Sequence, residues 1–133
     1  MRLSLVLASA LLLSLPVASS AQSGGCAKAC KVVITMSAGC GSGIKVAPDP
    51  LFIAKNAVVD IEWEIQADAW AFDGANGIAI HLEGDAFARG SGSSKSHKRT
   101  HKNTGPKVFK YDVNLVDARD GSKCKLDPTI IDQ

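Results

Sequence analysis

The chain of 133 residues has no stretch with apolar residues at helical spacing over three turns, which argues against a helical domain. After the first 15 residues it also has no apolar run near the roughly 20 residues that a membrane-spanning helix needs. A Gly-x-Ser-x-Gly motif is absent, and no serine lies in a recognisable nucleophile turn. These absences argue against a membrane protein and against a serine hydrolase.

The first 21 residues have the pattern of a secretory signal peptide. Arg2 supplies a positive charge, residues 3–15 form an apolar run, and Pro16 ends it. Ser19 and Ala21 place small residues three positions and one position before the expected cleavage. We therefore expect residues 1–21 to be removed and the protein to be periplasmic or secreted. The remainder has the length of one domain.

All four cysteines follow the expected cleavage site: Cys26, Cys30, Cys40 and Cys124. An even number of cysteines in an exported domain indicates a disulfide framework. Of the three possible connectivities we favour Cys40 to Cys124 with Cys26 to Cys30. Alternatively, Cys26 and Cys30 are thiolate metal ligands, because soft sulfur ligands suit Cu(I).

Three segments alternate between apolar and polar residues, as half-buried strands do. Their apolar faces are Val59, Ile61, Trp63 and Ile65; Ile78, Ile80 and Leu82; and Phe109, Tyr111, Val113 and Leu115. Further short apolar segments are separated by Gly, Pro, Asn and Asp. This pattern predicts an all-β fold, an antiparallel Greek-key sandwich of about seven short strands. Residues 22–43 would form a Cys/Gly-rich strand and turn, and residues 44–133 the rest of the domain.

The order of elements between residues 44 and 131 resembles that of the cupredoxin-like family, which are small exported Greek-key sandwiches. The matching pieces read IKVAPDPLFIAKNAVVDIEW, NGIAIHLEGDAF and FKYDVNLVDARDGSKC. In that family a middle-strand His and a late loop, which supplies Cys, then His, then usually Met, hold copper, and here only His81 matches, as the first ligand. No His or Met follows Cys124, whereas a blue-copper site needs two His and one Cys. The resemblance thus implies the fold without that copper centre.

Charge is segregated along the chain. Between residues 60 and 85 lie seven acids and no Lys or Arg: Asp60, Glu62, Glu64, Asp68, Asp73, Glu83 and Asp85. Between residues 89 and 110 lie seven bases and no acid: Arg89, Lys95, Lys98, Arg99, Lys102, Lys107 and Lys110. Either neighbouring elements offset each other's charges, or a bipolar surface orients a charged partner. We favour the first interpretation.

Residues 89–106 are rich in Gly, Ser, Lys and His, and we interpret them as a polar loop. Lys95, Lys98, Arg99 and Lys102 are its candidate ligand-binding residues, with an anionic polymer or an exported protein as the partner. The loop has no aromatic residue to stack on a base, so specific nucleic-acid recognition is not expected. His97 and His101 are four residues apart and, with His81, are candidate metal ligands.

The sequence therefore predicts a non-catalytic exported binding or scaffold domain that needs no cofactor and contacts its partner through loops. One alternative is a periplasmic copper-binding or degenerate electron-transfer protein. It would use His81, His97, His101, Cys26 or Cys30. The other alternative is an anion-binding module that uses the basic stretch of residues 89–110.

Overall fold

The structure, a computed structural model, describes residues 24–37, 39–41 and 43–133. The signal peptide expected at residues 1–21 lies outside these residues. None of the helical structure within them is long and apolar enough to cross a membrane. One 3₁₀ turn covers Gly74–Asn76, and the strands of the described ranges are β1 (Ala29–Met36), β2 (Ile44–Ala47), β3 (Leu51–Ile53), β4 (Val58–Ile65), β5 (Trp70–Phe72), β6 (Ile78–Ile80), β7 (Ser91–Gly92), β8 (Ser96–Lys102), β9 (Lys107–Asp117), β10 (Lys123–Leu126) and β11 (Thr129–Asp132).

The strands form two sheets in a sandwich, which confirms the predicted all-β fold. The first sheet has the order β2-β1-β4-β8-β7, and the second has the path β10-β9-β11-β3, with β5 and β6 also paired to β9. The pairs β1/β4 and β3/β11 are parallel, so the sheets are mixed rather than purely antiparallel. There are more strands than predicted because the 11-residue β9 pairs with four short strands in turn.

The central strands β4 and β9 supply the core between the sheets. Each has its alternate apolar residues buried, as predicted from their period of two. Each fully buried aliphatic or aromatic side chain contributes about 1.5–3 kcal/mol. Trp63 of β4 meets Tyr111 of β9 edge to face, with ring centroids 5.7 Å apart. This contact joins the first sheet to the second at the centre of the domain.

The predicted strand around residue 80 is shorter than expected. β6 ends at Ile80, and Leu82, which the alternation placed on the buried face, is 90% exposed. The chain turns at this point, with φ of 52° at both Leu82 and Gly84. The apolar alternation continued past the end of the strand, so the placement of Leu82 in the core was wrong.

The segment interpreted as a polar loop is largely a strand. Ser96–Lys102 forms β8, which pairs antiparallel with β4 along its whole length. Its solvent-facing side chains oppose the acids of β4: Lys98 lies 3.8 Å from Glu62, and Thr100 donates to Asp60 at 2.7 Å. β4 carries three of the acids of the acidic stretch and β8 three of the bases of the basic stretch, so their pairing agrees with the interpretation that neighbouring strands offset each other's charges.

Both disulfides that we favoured are present, Cys26–Cys30 and Cys40–Cys124, and no cysteine of the described residues is free. Cys26–Cys30 links the start of β1 to the segment beside β3, where Cys26 forms a β-bridge with Ile53. Cys40–Cys124 ties the connection between β1 and β2 to β10, and so links the two sheets. Structural disulfides are typical of oxidising compartments, in agreement with export.

Tyr111 is the only tyrosine of the chain, and its side chain is completely buried. Burial raises the pKa of its hydroxyl to about 12. The nearby Trp63 indole lowers this pKa by less than burial raises it. The indole Nε1 and the Tyr111 hydroxyl nevertheless form no hydrogen bond with each other or with any other group in the described residues. Between about pH 10 and pH 12 the folded protein therefore keeps the hydroxyl proton that an unfolded chain loses.

We expect the folded protein to show no tyrosinate absorbance at about pH 10, the ordinary pKa of tyrosine. Because the unfolded chain ionises there and the folded chain does not, stability falls as the pH rises from about 10 towards 12. An ultraviolet pH titration measures this ionisation directly. Tyr111→Phe is the matched control. It abolishes the signal and, since the hydroxyl has no partner, leaves the free energy of unfolding within about 0.5 kcal/mol or raises it. Tyrosinate absorbance near pH 10 in the folded wild type would contradict the assignment.

Candidate ligand-binding cleft

A cleft of about 680 Å³ lies between two Gly-containing segments. One wall is residues 90–94, which contain β7, and the other is formed by Phe72, Gly74, Ala75 and Ile78 of the β5 to β6 connection. A backbone hydrogen bond of 2.8 Å from Phe72 to Ser94 joins the walls. Four ionisable side chains complete the lining: Glu83, Arg89, His97 and Arg99. The cleft is within the range of volumes that hold small ligands.

His97 is held in the cleft by close packing. Its ring meets Phe72 edge to face, with centroids 4.6 Å apart. A Cβ on Gly92 would stand 2.6 Å from the ring, and one on Gly77 would stand 3.0 Å from Nε2. The Gly92 contact is too short for a real Cβ, so glycine at residue 92 is what allows the imidazole to fit, whereas Gly77 makes room mainly for Phe72, whose Cβ would lie 2.5 Å away. Burial lowers the pKa of His97, the charge of Arg99 lowers it further, and a backbone contact with Gly74 partly opposes them.

Arg99 is fixed by three contacts. Its Nε donates to the Ala88 carbonyl at 2.7 Å, and its Nη2 donates to Glu83 Oε2 at 2.8 Å. The guanidinium carbon lies 5.9 Å from the centroid of the Phe87 ring, in a cation–π arrangement. With its side chain only 18% exposed, Arg99 is an oriented cation whose charge is largely balanced by Glu83.

Arg89, unlike Arg99, has an exposed side chain. Within the part of the chain that the structure describes, its guanidinium takes part in no ion pair. It lines the cleft and also a second cavity of about 660 Å³, which spreads over Lys31, Glu62 and Lys98. Arg89 therefore stands on the ridge between the two cavities with its donors available.

The Gly-Ser segment that forms one wall has a structural reason for its composition. A Cβ at Gly90 would collide with the Lys98 carbonyl, so the chain approaches β8 there only as glycine. Ser93 turns the segment into β8, accepting from the backbone N–H of Ser96 at 3.2 Å and donating to its carbonyl. From the sequence we interpreted this segment only as part of a polar loop, and its glycines are the signal by which this wall could have been found.

Lys95 is one of the four predicted ligand-binding residues, but its ammonium serves the fold. It donates to the carbonyls of Ala67 at 2.6 Å and Asp68 at 2.9 Å, and also to that of Trp70. An ammonium has three donors, and all three are used. Lys95 therefore anchors the segment of residues 90–94 to the loop before β5, and the prediction that it is a ligand contact is replaced by this positioning role.

The other three predicted basic residues separate into two places. Lys98 and Lys102 project from the solvent side of the first sheet, outside the cleft, while Arg99 points into it. Lys98 is offset by Glu62. A strand's alternation explains the division, since residues 98 and 102 share a face and residue 99 lies on the other.

The candidate metal ligands do not converge. Cys26 and Cys30 are bonded to each other and offer no thiolate, and Cys124 is likewise bonded to Cys40. The three histidines lie in different surroundings: His97 is in the cleft, His81 is exposed, and His101 is buried in the core. Within the described residues, no group of three or more His, Cys, Asp or Glu side chains is arranged to hold a metal ion.

His81 contacts Asp112 on the second sheet. Its Nε2 lies 3.0 Å from Asp112 Oδ1, and Lys125 approaches the other carboxylate oxygen at 2.9 Å. Burial raises the pKa of Asp112, but the hydrogen bonds from Lys125 and His81 outweigh it, so the pKa is lowered overall. The pairing gives His81 a structural role between β6 and β9.

His101 and Asp132 form a buried pair that sequence reasoning missed. His101 Nε2 is 2.7 Å from Asp132 Oδ1, and its Nδ1 is 3.0 Å from the Ala86 carbonyl. The ring stacks on Phe87 at a centroid distance of 4.2 Å. His101, which we had considered as a metal ligand, thus has both nitrogens engaged within the protein.

Comparison with known proteins found no protein-family model and no curated protein that matches this chain.

Proposed function

We propose that this protein is a non-catalytic, exported binding domain that holds an oxyanion, such as a carboxylate, phosphate or sulfate group, in the cleft beside Arg89. The observation that carries the proposal is the exposed guanidinium of Arg89, which has no ion-pair partner in the described residues and lines a cleft of ligand size. A guanidinium presents donors in a fork that matches an oxyanion. The periplasm or the cell exterior is the proposed location.

The surroundings of Arg89 support this assignment. The backbone of residues 90–94 follows it along the cleft wall, and the glycines at 90 and 92 let this segment pack against Lys98 and His97 of β8. Ser91, Ser93 and Ser94 add hydroxyl groups to the same wall. Arg99 is already oriented by Glu83 and Ala88, so a ligand that binds beside it does not have to order a free side chain.

The solvent side of β8 is less suited to an anion. Glu62 lies 3.8 Å from Lys98 there, and Lys31 of β1 lies 2.5 Å from Glu64. An anion that approaches this face meets carboxylates as well as ammonium groups. We therefore assign anion binding to Arg89 and Arg99 in the cleft, and not to Lys98 and Lys102 on the solvent side of β8.

The test is an NMR titration of the ¹⁵N-labelled protein with sodium sulfate at low ionic strength. We expect saturable shifts concentrated in residues 89–94, His97 and Arg99. Arg89→Gln should weaken binding about tenfold, the loss expected for a hydrogen-bonded charge. Lys102→Gln is the matched control, because it removes an exposed base of β8 outside the cleft, and should change the affinity less than about twofold.

Two results would contradict the proposal. One is an affinity of the Arg89→Gln variant equal to that of the wild type. The other is a set of shifts centred on Lys98 and Lys102, which would return the anion site to the solvent face of the first sheet.

A further inference from the structure

We propose that His97 makes oxyanion binding in the cleft dependent on pH, with tighter binding when the imidazole is protonated. The inference rests on the function proposed above and adds its regulation. It is carried by the position of His97, which lines the same cleft as Arg89 and Arg99 and is held there by Phe72, Gly77 and Gly92.

The His97 ring is packed closely on two sides. Phe72 meets it edge to face, and a Cβ on Gly92 would stand 2.6 Å from it. Because the ring also lines the cleft, a change in its charge acts directly on whatever occupies the cleft.

The charged groups around His97 come from two elements. Arg99 of β8 and Arg89, which precedes β7, are cations, and Glu83, before Arg89, is an anion already paired with Arg99. The opposite wall contributes Phe72, Gly74, Ala75 and Ile78 to the lining, none of which ionises. Protonation of His97 would therefore add a positive charge that no carboxylate of the cleft lining is free to balance.

Without an anion, this arrangement disfavours the imidazolium. Burial and the nearby charge of Arg99 lower the pKa of His97, although a contact with the Gly74 backbone opposes them. The pKa of His97 therefore lies below its ordinary value of 6.5 when no anion is bound. A bound dianion stabilises the protonated ring, so by linkage the anion raises the pKa of His97 and the proton raises the anion affinity by the same factor.

The experiment measures sulfate affinity of the wild type at about pH 5 and about pH 8, either side of the titration range of histidine. Sulfate keeps both of its charges across this range, so any change in affinity arises from the protein. We expect roughly tenfold tighter binding at the lower pH, the effect of a unit charge about 6 Å from a dianion at a dielectric near that of water. In His97→Gln the ratio of the affinities at the two pH values should fall to about one.

A second readout separates His97 from other groups that gain protons. The NMR titration of the His97 ring should move to higher pH when sulfate is added, while His81 and His101, which lie outside the cleft lining, serve as internal references. Sulfate binding that is equal at both pH values, or a pH dependence that persists in His97→Gln, would overturn the inference and leave the proposed function standing. Absence of sulfate binding to the wild type at either pH would overturn both.

Discussion

Replacing Asp132 with alanine is expected to lower the free energy of unfolding by about 1–3 kcal/mol, the cost of leaving a buried hydrogen-bonding group without its partner. The Asp132 carboxylate accepts from His101 at 2.7 Å, and the side chains are 3% and 0% exposed. Phe87 and Phe109 pack against the imidazole, so the pair has apolar neighbours. Chemical denaturation of the purified protein measures the effect.

Matched variants distinguish the stability lost by breaking the His101–Asp132 contact from the stability lost by removing any carboxylate. Asp127→Ala removes an exposed acid that lies 3.5 Å from Lys110 and should cost less than about 1 kcal/mol. His101→Phe, which leaves Asp132 buried alone, should be as damaging as Asp132→Ala. The double variant His101→Phe with Asp132→Val should recover part of the loss, because apolar replacement of both partners removes the unpaired group. Strictly additive losses in the double variant, or a negligible loss in Asp132→Ala, would contradict this account.

Replacing Cys40 and Cys124 together with serine is expected to reduce stability by about 4–5 kcal/mol in the chain-entropy model. The bridge joins residues 84 positions apart, so it removes many conformations from the unfolded chain. It also ties the β1 to β2 connection to β10 of the other sheet. The midpoint of unfolding in guanidinium, compared under non-reducing conditions, measures the difference.

The second disulfide provides the control. Cys26–Cys30 spans a separation of only four residues, so the same model gives about 2 kcal/mol for the Cys26→Ser with Cys30→Ser variant. Intact mass under non-reducing conditions should show the wild type lacking four hydrogens, two for each bridge. Equal losses in the two double variants, or a wild-type mass with all hydrogens present, would be inconsistent with this assignment.

The central strands were predictable from sequence because their burial follows a local rule. In β4 and β9 every second residue is apolar and every second residue is buried, and no distant partner is needed to read that pattern. The same rule failed at Leu82, since nothing in the alternation shows where a strand ends. There the backbone turns with a φ of 52° and the apolar side chain is left in solvent.

Strand β8 was not predictable by the same rule, because its inward face carries His97, Arg99 and His101 instead of apolar residues. Each of these needs a partner that is remote in sequence. Asp132 is 31 positions from His101, Glu83 is 16 positions from Arg99, and His97 depends on glycines of two other segments. Only the fold brings those partners together, so the segment has the composition of a loop and the structure of a strand.

The sequence by itself determined the β-sandwich class, the residues of its two central strands, and a cysteine count that implied two disulfides. The strands follow from burial of every second residue, which is a local pattern. The disulfides follow from an even number of cysteines, which is a property of composition. Only the tertiary structure decided what the basic stretch does. The pairing of β4 with β8 sets Lys98 against Glu62, three carbonyls engage the Lys95 ammonium, and Arg89 is left at a cleft with its donors free for a ligand. The physical reason is that the availability of a charge depends on its neighbours in space, which composition does not specify.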